Sequence, residues 1–169
     1  MKTTKIHLLY LVLTLCGLTM AATNGVAQTK TYRGAWFSVN YPADFTAEGS
    51  MPSATTGDDS TYDSAIFTSP DGSVSFYVYS PQWTGDPTDI ALQPGEKEGT
   101  CSVTHGSGNQ TVTFWTIGAK NGSYSRSYQE TREGDAMYII GIRYTTQKAY
   151  NKYKKQYLAF KASLEQFAD

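Results

Sequence analysis

From residue 35 to residue 145 the chain alternates large apolar and small polar residues in short runs, broken by glycine, proline and asparagine. In WFSVNYPADF the two-residue period puts Phe37, Val39 and Tyr41 on one face, predicting a strand from about Ala35 to Tyr41 after a short polar lead. Pro42 has no N–H for a ladder and ends it. Residues 46–61 are small and polar and predict an exposed loop. Two β-rich runs, Asp63–Thr68 and Ser73–Ser80, flank Ser69-Pro70-Asp71-Gly72, whose proline and glycine positions suit a type I turn closing a hairpin. Val74, Phe76 and Val78 share one face of the second run and Tyr77 and Tyr79 the other. That strand is covered on both faces, or it shows aromatics to solvent. Residues 81–97 read as a loop with one helical turn from Pro87 to Leu92, started by Asp86. Four further β-like runs follow, at about 98–104, 110–118, 123–131 and 136–145, separated by HGSGN, AKNG and REGD. Turns at this spacing predict an antiparallel meander, with Thr111–Ile117 and Met137–Tyr144 as central strands.

The period then changes. Tyr150, Tyr153, Tyr157, Phe160, Leu164 and Phe167 recur at alternating steps of three and four, one stripe of an amphipathic helix of about 20 residues. Lys148, Lys152, Lys154, Lys155 and Lys161 lie mainly off the stripe. The expected fold class is α+β: an antiparallel sheet of about six or seven strands with this long helix laid across one face.

Composition changes the picture first at the N-terminus of the 169-residue chain. Lys2 and Lys5, an apolar run from Ile6 to Met20 and Gly25-Val26-Ala27 have the layout of a secretory signal peptide over residues 1–27, with Ala21 or Ala22 as other cleavage positions. The chain is therefore expected in the periplasm or outside the cell, with no membrane span after cleavage. Cys16 invites a lipoprotein reading, but Leu15 is not the small residue that such processing wants before the cysteine. Residues 28–169 fit a single domain with a sizeable core. They carry 12 basic and 15 acidic side chains, divided as −7 over residues 28–119 and +4 over 120–169. Such a balance is a poor match to nucleic acid, which rewards a broad basic face.

Candidate chemistry is sparse, and nothing in the sequence calls for a cofactor. Cys101 is the sole cysteine after residue 27, so no disulfide can form within the domain, and it is expected to be a buried, inert free thiol. His105 follows four residues later; on an extended strand the two side chains stand about 13 Å apart, too far for a dyad. Asp58, Asp59 and Asp63 in GDDSTYD form a candidate site for a hard cation, without the glycine and distal glutamate of an EF-hand. Asp86 and Asp89 are read as helix-start residues. Trp83, in a turn-rich loop, with Tyr77 and Tyr79, is the candidate aromatic surface for stacking on a glycan or anchoring a protein.

Three features together carry a resemblance: the step Tyr41-Pro42-Ala43-Asp44-Phe45, the hairpin AIFTSPDGSVSFYVYS, and the closing helix YLAFKASLEQF after a meander. The layout over about residues 32–167 resembles the PsbP/Mog-like α/β/α sandwich family, which includes photosystem II extrinsic subunits, a Ran-binding protein and bacterial envelope proteins. Phe45 stands where that family usually has tryptophan. The resemblance implies a non-catalytic interaction or assembly protein of the bacterial envelope with a protein partner, and it carries over no catalytic residue. The competing expectations are a carbohydrate-binding module and a hydrolase built around Cys101–His105 or a carboxylate pair.

Overall fold

The turn at Ser69–Gly72 forms as its residues dictate. Gly72 donates its N–H to the Ser69 carbonyl at 2.9 Å and sits at φ +64°, where any side chain is strained. Asp71 Oδ1 accepts from Ser69 Oγ and from the Ser73 N–H and Oγ, locking the turn from within. This turn joins β4 (Ser64–Thr68) to β5 (Val74–Tyr79) in a computed structural model that describes residues 28–58 and 60–167. The expected leader, residues 1–27 with Cys16, lies outside the described residues.

The meander is present as β6 (Glu96–His105), β7 (Gln110–Ala119), β8 (Ser125–Glu133) and β9 (Ala136–Tyr144). A short β3 (Thr46–Gly49) forms inside the stretch expected to be loop, pairing with β4. The result is a seven-stranded antiparallel sheet in the order β3-β4-β5-β9-β8-β7-β6. Met137–Tyr144 is central, but Thr111–Ile117 is one place from the edge. The apolar residues of that run belong to a strand whose outer half projects beyond the core.

Thr29–Arg33 (β1), which the polar lead did not suggest, pairs with β2 (Phe37–Pro42), and Glu165–Gln166 (β10) pairs with the other side of β2, making a separate three-stranded sheet. Helix α1 (Gln147–Ala162) starts where Thr146 Oγ1 accepts the Ala149 N–H at 3.1 Å. Tyr153 and Phe160 of its stripe are buried, with Tyr150, Tyr157 and Leu164 packed at the margin. The stripe overstated the helix, because Ser163 interrupts it. Its Oγ accepts the Asn40 N–H at 2.9 Å and donates to the Phe160 carbonyl, and the chain then leaves to form β10. Gln166 Nε2 ties β10 to the large sheet through Ser80 Oγ and the Met137 carbonyl, both at 2.9 Å.

The two faces of the large sheet are covered differently. Val74, Phe76 and Val78 face α1, where the Phe160 ring lies 5.1 Å from Phe67 and 5.2 Å from Phe76. Tyr77, Tyr79, Tyr128, Met137 and Ile139 form the second core, on the opposite face. Its cover is the segment between β5 and β6, which carries a single 3-10 turn at Thr88–Ile90. Asp86 does not start that turn, whose N-cap is Pro87 with no side-chain bond.

Candidate functional site

The segment between β5 and β6 is tied to the sheet by a buried ion pair. Arg126, on the second-core face of β8, pairs with Glu96 at the start of β6, and both side chains are buried. A guanidinium has five N–H donors. All are used here: by the two Glu96 oxygens, by the carbonyls of Ile90 and Ala91 at 2.8 and 2.9 Å, and by Tyr128 Oη at 3.0 Å. Glu96 also accepts from Tyr124 Oη and the Gln93 N–H, each at 2.7 Å. Nearby, Asp89 accepts from Tyr77 Oη at 2.8 Å and Ser64 Oγ at 2.7 Å. Asp89, expected to begin a helix, instead satisfies a buried tyrosine. Gly85 packs so closely over Tyr79 that a Cβ there would stand 2.7 Å from the tyrosine hydroxyl.

This anchoring leaves an open cleft of about 450 Å³ between the segment and the outer strands β6 and β7. Ile90, Ile117 and Ile139 give it an apolar floor, with the Trp115 ring beside them. Asp86, Glu98, Glu130 and Cys101 stand around it. Beyond the cleft the β6–β7 hairpin projects, and nine of the ten β6 residues are exposed. Val103 and Phe114 are 52% and 42% exposed, and their registers place them on opposite faces of the hairpin. A register shift between Glu98 and Cys101 marks a bulge beside the cleft. Gly99 is required there, because a Cβ would meet Thr116 Oγ1 at 2.2 Å, the same oxygen that accepts the Thr100 N–H.

The expected site residues are dispersed by this arrangement. Trp83 is open to solvent at 59% exposure, but Tyr77 and Tyr79 are buried beneath the covering segment. The tyrosine face of β5 is therefore a second core and not an exposed aromatic surface, and the three rings do not form one platform. Burial, with the charges of Asp63, Asp86 and Asp89, pushes the Tyr79 pKa up to about 12. Asp58 is exposed and caps its own turn through the Ser60 N–H and Oγ, whereas Asp63 is buried, with its carboxyl pKa raised by burial. Asp59 lies outside the described residues, and among the described residues no group of three His, Cys, Asp or Glu side chains is placed to hold a metal ion. Cys101, expected buried, is exposed, because its strand is the edge of the sheet and lies beyond the covering segment. Cys101 and His105 occupy one regular strand, paired with Trp115 and Thr111 in unbroken register, so they remain about 13 Å apart. Arg126 and Glu96 escaped the sequence reading as a pair. The available signal was an arginine flanked by tyrosines at an inward position of a predicted strand.

The acid sensitivity of the site follows. Burial opposes ionisation of Glu96, yet hydrogen bonds from Arg126, the Gln93 amide and Tyr124 overcome it and lower its pKa from 4.5 to about 2. A folded-state pKa below the unfolded one stabilises fully above the unfolded value and is lost as pH falls through the folded one. Glu96 should therefore withdraw stability between about pH 4.5 and 2. Asp71, held well below the usual carboxylate range by Lys152, Ser73 and Ser69, acts in the same direction, and Asp63, raised by burial, opposes it. Urea midpoints measured across this range should fall with pH, and Glu96→Gln should flatten the fall; an unchanged slope would contradict the assignment.

A solved structure shares this architecture. The solution structure of cyanobacterial PsbP (CyanoP) from Synechocystis sp. PCC 6803 matches with a TM-score of 0.50 over 89% of this chain and 99% of that one, at 11% identity. The fold is PsbP-like. At that identity the likeness is one of fold alone, in keeping with the resemblance in layout read from the sequence. No protein-family model and no curated protein sequence matches the chain. Among the described residues no helix is long and apolar enough to cross a membrane.

Proposed function

We propose that this chain is an exported, non-catalytic interaction or assembly protein of the bacterial cell envelope. The observation that carries the reading is the β6–β7 hairpin, which projects from the sheet with an apolar residue exposed on each face and an outer edge that pairs with no other described strand. Unpaired edges and exposed apolar groups are features that folded proteins normally cover, and a protein partner covers both at once. The signal-peptide layout of residues 1–27 supports export, and the PsbP-like fold accords with a binding role. The separation of Cys101 from His105 along one regular strand, and the engagement of Glu96 by Arg126, support the non-catalytic reading.

The test is capture from the native envelope fraction with the purified chain as bait. A partner should be enriched by the wild type and lost with Val103→Asp or Phe114→Asp, provided circular dichroism shows both variants folded. Equal capture by wild type and variants would sink the reading.

A further inference from the structure

We propose that the cleft beside β6 seats a basic side chain, arginine or lysine, carried on an extended segment of the protein partner that lies along the β6 edge. The inference rests on the interaction reading above and gives the partner its chemistry.

The cleft combines an apolar floor with anionic walls. Ile90, Ile117 and Ile139 would take the methylene stem of a long side chain, and Asp86, Glu98 and Glu130 surround them. No lysine or arginine lines it. The nearby cations are already engaged: Arg126 has spent all five N–H groups, and Arg132 pairs with Glu130 at 2.6 Å. Arg132 also feels the charge of Asp86. Among the described residues Asp86 and Glu98 are in no ion pair, so the cleft keeps net negative charge. A stem that prefers apolar contact and a head that prefers carboxylate describe lysine and arginine, and arginine adds bidentate geometry.

The edge supplies the route. Glu98, Gly99, Thr100 and Cys101 belong both to the cleft wall and to the outermost strand. A segment added to that strand in extended form directs every second side chain toward the cleft face. The bulge and Lys97 discourage indiscriminate strand addition at the N-terminal half of β6, so the added segment pairs along the regular stretch Cys101–His105 and meets the cleft wall where that stretch ends, at Cys101. The excess of acidic over basic residues in 28–119 favours a cationic segment at longer range. Five of the chain's lysines lie on α1, and a helix cannot extend a sheet. Lys30 and Arg33 on the edge strand β1 make a second copy the alternative occupant, which the dependence on protein concentration tests.

The exposed thiol of Cys101 is a reporter on the cleft wall. The purified chain is titrated with acetyl-Thr-Val-Arg-Val-Thr-amide and with the same peptide bearing citrulline or glutamate in place of arginine, and the alkylation rate of Cys101 by iodoacetamide is followed. The arginine peptide should slow alkylation, the citrulline peptide should need roughly tenfold more for the same effect, and the glutamate peptide should have none. Asp86→Asn with Glu98→Gln should abolish the difference between arginine and citrulline without altering the fold. Equal protection by arginine and citrulline peptides, or none by either, overturns the proposal, as does protection that rises with protein concentration in the absence of peptide. If the peptides fail while the hairpin variants still lose their partner, the cleft assignment falls and the interaction reading stands. Unchanged capture by the hairpin variants overturns both.

Discussion

Arg126→Met is expected to destabilise the protein by about 3–5 kcal/mol, the range found when one partner of a buried ion pair is removed. The loss is large because of what remains. Glu96 stays buried at 5% exposure with a negative charge, and the carbonyls of Ile90 and Ala91 lose their donor. The favourable part of the original interaction is smaller than this figure, since desolvation offsets much of it. Removing both charges, in Arg126→Met with Glu96→Leu, is accordingly expected to be less damaging than Arg126→Met alone. Urea unfolding of the two single variants and the double variant measures the coupling. A cost below about 1 kcal/mol for Arg126→Met would show that the pair does not hold the covering segment.

Phe160→Ala is expected to cost about 3–5 kcal/mol by leaving a cavity between helix and sheet. Phe160 is 1% exposed and contacts the rings of Phe67 and Phe76, which lie on adjacent strands. The same helix supplies the control. Leu158 is 52% exposed, and Leu158→Ala should stay within about 0.5 kcal/mol of wild type. Thermal unfolding followed by circular dichroism separates the two outcomes. Equal effects would mean that α1 is held by something other than its inward stripe.

What was legible in the sequence is what local chemistry decides. Ser69-Pro70-Asp71-Gly72 closes a hairpin because proline and glycine set the backbone there, and the alternation of Phe76 with Tyr77 separates two faces, although alternation alone does not say that the tyrosine face is covered. The meander and the helix stripe are visible for the same reason, and they suffice for an antiparallel sheet with one helix across it. The misses are residues whose state is set by distant parts of the chain. β1 reads TKTYR, with Tyr32 alone to bury, and its pairing with β2 is what makes it a strand. Leu164 and Phe167 keep helical spacing although the chain has left the helix, since spacing carries no record of Ser163 reaching Asn40. Cys101 looks like a core thiol until the strand order puts it on the outermost strand. The cleft was legible only in parts. Asp86, Glu98 and Trp115 are ordinary residues in a loop and two strands, and the Glu96–Arg126 pair that brings them together spans 30 positions.

The small sheet has a consequence for the order in which the molecule can be completed. β2 pairs on one side with β1, which immediately precedes it, and on the other with Glu165, 127 positions after its partner Ser38. A polypeptide delivered from its N-terminal end can form the first pairing at once. The second waits until nearly all the intervening chain has emerged, and closing so long a loop is entropically slow. Until then β2 shows a free edge of the kind that invites strand addition by other chains. Nascent molecules, and any truncated before Glu165, are thus the species that need shielding during biogenesis, and the two-residue β10 is the latch that ends their exposure.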